Sequence, residues 1–213
     1  MQNKKMVLFT VIGLIVLFVA GTFMYQANET KKYEELAAQK AKLFQRDYSI
    51  VIGNKDAKVQ LVEFFDPACE TCAQFHPYVK DIMKKNEGNI KLVLRYAPFH
   101  KGSDMAVKML LAANEQGKFM DVLEFMFYTQ RYWTQHHEVK PQILWRILPK
   151  VKGLDMEKMS KSMNNPEFDK IITQELADAK ELGASKTPSY FVNGKPLQTF
   201  GLDNLVQLIN SEL

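Results

Sequence analysis

The chain holds 2 cysteines, Cys69 and Cys72, separated by Glu70 and Thr71, so any intramolecular sulfur chemistry belongs to this pair. A spacing of two residues lets the sulfurs close a small disulfide ring across the first turn of a helix. That arrangement suits reversible thiol–disulfide exchange when it follows a strand in a βαβ context. Residues 59–77 read as such a strand and helix: an almost continuous apolar run, Val-Gln-Leu-Val-Glu-Phe-Phe, then a turn, then apolar positions at Cys72, Phe75, Val79, Ile82 and Met83. On that spacing Cys72 lies on the core-facing stripe, and Cys69 is expected at the exposed tip. Pro77 falls inside the helix, has no N–H for the Ala73 carbonyl, and predicts a kink. Alternation along the strand puts Val59, Leu61, Glu63 and Phe65 on one side, which makes Glu63 an acid in a strand otherwise fit only for burial.

The compartment follows from the N-terminus. Residues 6–24 carry no charge and are rich in Val, Leu, Ile and Phe, long enough to cross a bilayer as a helix. Lys4 and Lys5 before them favour a cytoplasmic N-terminus with the remainder outside. A cleaved signal peptide, with Val19-Ala20-Gly21 at the cut, is the competing reading. The run is longer than a usual signal core, so an uncleaved anchor is expected; either way the folded part is exported, where disulfides persist. A formal net charge of +4, with no basic stripe interleaved with aromatics, argues against nucleic-acid binding.

Residues 26–47 are polar and helix-prone, with a thin apolar stripe at Tyr33, Leu36, Ala37, Leu43 and Phe44; they read as a stalk. Self-association of the stalk into a homodimer is the sharper alternative, on fewer than three good heptads. Strands are expected at 48–52, 58–65 and 90–96, the second central and covered on both faces, parallel to the third. From 103 to 182 only helical patterns occur, at 104–116, 118–130, 141–151, 155–163 and 166–182, the last ended by Gly183. A strand at 189–192, a turn at Asn193-Gly194, a partner strand near 197–200 and a helix at 202–213 complete the chain.

This order resembles the thioredoxin superfamily in its DsbA-like branch. Cys69-Glu70-Thr71-Cys72 after a hydrophobic strand matches the redox motif, Pro77 the kinking proline, and residues 183–194 the loop, strand and hairpin in which such proteins carry a cis-proline. The resemblance implies an α/β, thioredoxin-like fold with an inserted all-helical subdomain, preceded by one transmembrane helix and a helical stalk. The divisions are an anchor at 1–25, the stalk at 26–47, a first half with the cysteines at 48–102, the insertion at 103–183 and a second half at 184–213. It further implies that Cys69 attacks and Cys72 resolves, that Pro188 is the cis-proline facing them, and that Thr187 offers backbone groups to a bound substrate segment. Glu63 matches the buried acid that moves a proton from the resolving thiol; its alternative is a salt bridge to Arg95.

The activity expected is thiol–disulfide exchange with cysteine-containing exported proteins and a membrane redox partner, at the periplasmic side of the inner membrane, with no cofactor and no metal. Glu70 stands where this branch commonly has Pro, and Thr71 where the strong oxidants have His. A carboxylate beside the nucleophile disfavours its thiolate, so a potential below that of the strong oxidants is expected. Two rivals remain. Cys69, Cys72 and His76 have helical spacing, which would suit copper in a membrane-tethered metallochaperone, and the pair could be a structural staple in a non-catalytic module. His100, His136 and His137 are expected on the surface or in loops.

Overall fold

The computed structural model describes residues 2–135 and 138–213, without the side chains at 2, 5, 30, 34 and 36–39. His136, His137 and the side chains of Leu36 and Ala37 therefore lie outside the described residues. One helix, α1 (Gln2–Gln39), covers both the apolar run and most of the polar stalk without a break. Thirty-eight residues at about 1.5 Å each give it a length of about 57 Å. Its segment Met6–Tyr33 is long and apolar enough to cross a membrane, and the large apolar side chains there, Phe9, Leu17 and Phe18 among them, are exposed. A compact unit, residues 42–213, follows.

That unit is built on one sheet of five strands: β1 (Ile50–Gly53), β2 (Val59–Phe65), β3 (Ile90–Tyr96), β6 (Ser189–Val192) and β7 (Lys195–Pro196), in the order β1-β3-β2-β6-β7. The apolar run expected to be central is the middle strand. It pairs in parallel with β3, from Val59 opposite Ile90 to Phe65 opposite Tyr96, and antiparallel with β6. The first strand starts two residues later than expected, because Ser49 N–H closes a turn on the Arg46 carbonyl. The final hairpin is tighter than expected: Asn193 and Gly194 both take positive φ (47° and 80°), so Lys195 lies opposite Val192 and the partner strand falls at 195–196, not 197–200.

Both sheet faces are covered, as the continuous apolar character of β2 requires. On one face Val59, Leu61 and Phe65 join the main core with helix α3 (Glu70–Lys85), helix α9 (Leu202–Asn210) and the insertion. On the other, Phe64 and Phe191 meet Phe44 of the short helix α2 (Ala41–Phe44), with Phe44 and Phe191 ring centroids 5.4 Å apart. Each buried side chain of this size contributes roughly 1.5–3 kcal/mol. The insertion consists of α4 (Ser103–Asn114), α5 (Phe119–Trp133), α6 (Pro141–Ile147), α7 (Met156–Ser162) and α8 (Pro166–Glu181), with a 3-10 turn at Leu148–Lys150 where Pro149 ends the longer helix expected there. It is helical apart from one small ladder, β4 (Thr134–Gln135) against β5 (Glu138–Val139). Asp155 and Asn165 cap α7 and α8 by accepting backbone N–H bonds from their first turns. The thioredoxin-like fold with a helical insertion is thus present.

Candidate functional site

The site lies where β2 ends and α3 begins. Cys69 is the N-cap of α3, with extended backbone angles (φ −77°, ψ 119°), and its Sγ accepts the Cys72 N–H at 3.4 Å. A sulfur therefore occupies the position in which a serine or aspartate oxygen usually caps a helix, facing the free amides and the positive end of the helix dipole. Cys72, one turn on, is fully enclosed. Cys69 is not the exposed tip expected from the sequence; only 6% of it reaches solvent. The cause is the loop before β6: the Thr187–Pro188 peptide is cis, and the Thr187 carbonyl lies 3.2 Å from Cys69 Sγ. Pro188 is buried beside the pair, whereas Glu70 faces solvent and Thr71 is half-buried.

These contacts separate the two thiols chemically. The Cys69 thiol is pulled down to about 6, chiefly by the hydrogen bond from the Cys72 thiol; burial opposes this, and Thr187 and the Cys72 and Thr71 amides add to it. Cys72 moves the other way, well above an ordinary thiol, through burial, its bond to Cys69 and the nearby charges of Cys69 and Glu63. The carboxylate of Glu70 thus does not keep Cys69 from being an acidic thiol. Ultraviolet titration at 240 nm of the reduced protein should show one thiolate with a midpoint near 6, absent from Cys69→Ser. A midpoint near 9, the ordinary value, would contradict the capping geometry.

Glu63 is buried on the same side of β2 as the thiols. Burial pushes its carboxyl up to about 7, against the lowering effect of the Tyr190 hydroxyl, which donates to Glu63 Oε1 at 3.1 Å. The alternative pairing with Arg95 does not occur. Arg95 lies opposite Phe64 in the β2–β3 ladder, one residue out of phase with Glu63, and so points to the other face, where it meets Glu175 and Asp178.

Three supporting residues escaped the sequence reading. Tyr190 is cross-strand from Glu63, a register no spacing reveals. Gln130 of α5 is buried and its side-chain amide donates to the carbonyls of Pro67 (2.8 Å) and Cys69 (3.0 Å), fastening the insertion to the cysteine turn. Asp66 is fully buried; its backbone carbonyl accepts the Cys69 N–H at 3.0 Å, and its carboxylate collects four donors, from Ala68, Ser103 and twice from His100. An aspartate followed by proline three residues before a cysteine was the available signal. His76, the third ligand of the copper alternative, turns instead to α5, with its ring 5.2 Å from that of Phe127 and Nε2 3.9 Å from Glu124. Among the described residues no three His, Cys, Asp or Glu side chains are grouped to hold a metal.

Residues 45–211 match the family model described as Thioredoxin, and the chain belongs to that family. With its helical insertion and paired thiols it is a DsbA-like thiol–disulfide oxidoreductase. The chain is 26% identical over 218 residues to a probable disulfide bond formation protein D of Bacillus anthracis, covering all of this chain and 98% of that one. It is 30% identical over 146 residues to a Na(+)/H(+) antiporter NhaA of Herminiimonas arsenicoxydans, where the match spans 68% of this chain but 22% of the relative. Among solved structures, a thioredoxin-like oxidoreductase from Silicibacter pomeroyi superposes with a TM-score of 0.67 at 30% identity, over 80% of this chain and 94% of that one.

Proposed function

We propose that this protein oxidises cysteine pairs in exported proteins while anchored in the cell inner membrane by α1, its catalytic unit on the periplasmic side. The observation that carries the direction is the capped, acidic Cys69 beside a weakly acidic Cys72. A stabilised thiolate favours the reduced form of the pair, and so makes the disulfide form a better oxidant.

In the reaction a substrate thiolate attacks Cys69 Sγ of the Cys69–Cys72 disulfide. The sulfur–sulfur bond breaks, the electron pair leaves on Cys72, and Glu63 supplies the proton that a thiol of such high affinity takes up. A second substrate thiolate then attacks the substrate sulfur of the mixed disulfide, releasing the substrate's disulfide and the Cys69 thiolate. Two electrons have moved from substrate to the pair, and a membrane redox partner that accepts them restores the disulfide. Thr187, beside the cis-Pro188, presents its backbone groups to the substrate segment flanking the attacked cysteine. A Cys69 near 6 falls between the attacking thiols of thioredoxin (about 7) and the strongest oxidant (about 3.5), so the potential should lie between about −270 and −120 mV.

Cys72→Ala tests the reading, because it leaves the nucleophile without a resolving thiol. Expressed in its native envelope, the variant should accumulate mixed disulfides through Cys69 that dithiothreitol releases, and these should be absent from the Cys69→Ser/Cys72→Ala double variant. Recovery of no such adducts would contradict an exchange function for the pair.

A further inference from the structure

The motif dipeptide Glu70-Thr71 carries no cation, but the fold brings one to the thiols from elsewhere. His100 stands in the loop between β3 and α4, remote in sequence from Cys69. Its backbone N–H and its ring Nδ1 both reach Asp66 Oδ2, at 2.9 and 2.7 Å, while Ala68 N–H (2.8 Å) and the Ser103 hydroxyl occupy Oδ1. The Asp66 side chain is fully buried, and its four donors are two backbone N–H groups, the buried Ser103 hydroxyl and the half-buried His100 ring. A carboxylate so placed has one partner that can itself become charged, and that partner is His100. Asp66 simultaneously accepts the Cys69 N–H on its backbone carbonyl. One residue therefore fixes both the cysteine turn and the imidazole.

We propose that His100, held as an imidazolium by Asp66, is a positioning residue of the thiol pair whose charge stabilises the Cys69 thiolate and drives the pair towards the oxidising side. The Asp66 hydrogen bond is the main reason that the imidazole binds its proton more tightly than usual, against the effect of burial, and the negative charges of Cys69 and Glu70 act in the same sense. Among the charged groups acting on the ring are Asp66 from the end of β2 and Cys69 and Glu70 from the start of α3; its neighbour Lys101 turns its ammonium to Glu138 at 3.1 Å. The ring keeps 21% of its surface in solvent, enough for its charge to reach an arriving thiolate. In reduction of the disulfide, the imidazolium neither gives nor takes electrons or protons; it favours the step in which negative charge appears on Cys69. Glu70 acts against it from the solvent side, so the two residues set the thiolate's affinity in opposition.

The inference rests on Cys69 being the thiolate of the pair, and its test uses no protein substrate, so it fails separately from the proposed function. His100→Asn should raise the 240 nm thiolate midpoint and lower the equilibrium constant for oxidation of glutathione by about three- to tenfold, the size of one partly screened charge interaction. His100→Arg, which restores a cation, should retain most of the parent values. In the unaltered protein the His100 ring, followed by NMR, should titrate at higher pH in the reduced than in the oxidised state. Equal midpoints for parent and Asn variant, equal shifts in the Asn and Arg variants, or a His100 titration indifferent to the redox state would each overturn the proposal.

Discussion

Arg95→Ala is expected to remove about 3–5 kcal/mol of folding stability, a large part of what a domain of this size has. Arg95 is fully enclosed in β3, and its guanidinium is satisfied on every side. Nε donates to both oxygens of Glu175 (2.9 and 3.0 Å), one terminal nitrogen to Asp178 Oδ2 (2.6 Å) and the other to the Leu43 carbonyl, with the Phe64 ring centroid 5.1 Å away. Removing the cation leaves two carboxylates in the interior and undoes the link between the segment after α1 and helix α8. Asp178 keeps Arg46 at 2.6 Å and the Gln174 amide, whereas Glu175 loses its charged partner and retains the Tyr96 N–H. Burial already pushes the Glu175 carboxyl up, and without Arg95 it rises further. The variant's deficit should therefore be largest where the acid is ionised and shrink as the pH falls through its raised folded value and the acid neutralises. Guanidinium unfolding of the full chain in detergent, followed through the buried Trp133, measures it; an unchanged midpoint at pH 7 would mean that the cluster contributes nothing. Arg46→Ala, which removes a partner that is 23% exposed, should cost much less.

The contrast between Arg95 and the cysteines shows what can be read from a chain of this kind. The thiol pair, the central strand and the helical stripe of α3 are local patterns, with periods of 2.0 and 3.6 residues that betray their faces without any knowledge of neighbours. Pro188 is legible only through the resemblance, which matches the proline before a strand and an Asn-Gly hairpin to the cis-proline loop of such proteins. Long-range pairing is different. Whether Glu63 meets Arg95 or Tyr190 depends on the register of β2 against β3 and β6, and both partners were present in the sequence with nothing to choose between them. The true partners of Arg95 sit 80 and 83 residues further on, in a helix whose place over the sheet is set by the whole insertion. The cover over Cys69 is illegible for a related reason: a helix tip is exposed only until another segment covers it, and the covering loop lies 118 residues away. Asp66 and His100 are hidden for the same reason, since a carboxylate with a local turn role gives no hint that it also collects a histidine from the loop after β3.

Glu63→Gln is expected to stabilise the reduced protein by up to about 3 kcal/mol at pH 8 while slowing resolution of the mixed disulfide. The stability effect follows from the direction of its shift. The folded carboxyl binds its proton more tightly than the unfolded one, about 7 against 4.5, so the folded state is favoured below 4.5 and loses that advantage as the pH rises through 7. Glutamine cannot ionise and does not suffer the loss, and its side-chain carbonyl can still accept the Tyr190 hydroxyl. Parent and variant should therefore have the same stability near pH 4, diverge as the pH rises from about 4.5 to 7 and level off above that. Cys69 titrates over part of this range with the opposite sign, its folded thiol near 6 and its ordinary value 9; its thiolate also raises the Glu63 carboxyl, so the divergence between parent and variant includes this coupling. The kinetic effect follows from the same carboxyl: near neutral pH it is poised between its two forms, able to give a proton to Cys72 as that sulfur leaves or to take one as it attacks. Without it, rapid-quench trapping should show the mixed disulfide resolving more slowly by about a hundredfold, the usual size of a positioned proton carrier. A variant that gains stability but resolves at the parental rate would leave Glu63 as a strained buried acid with no part in the exchange, and would send the proton of Cys72 to solvent by another route.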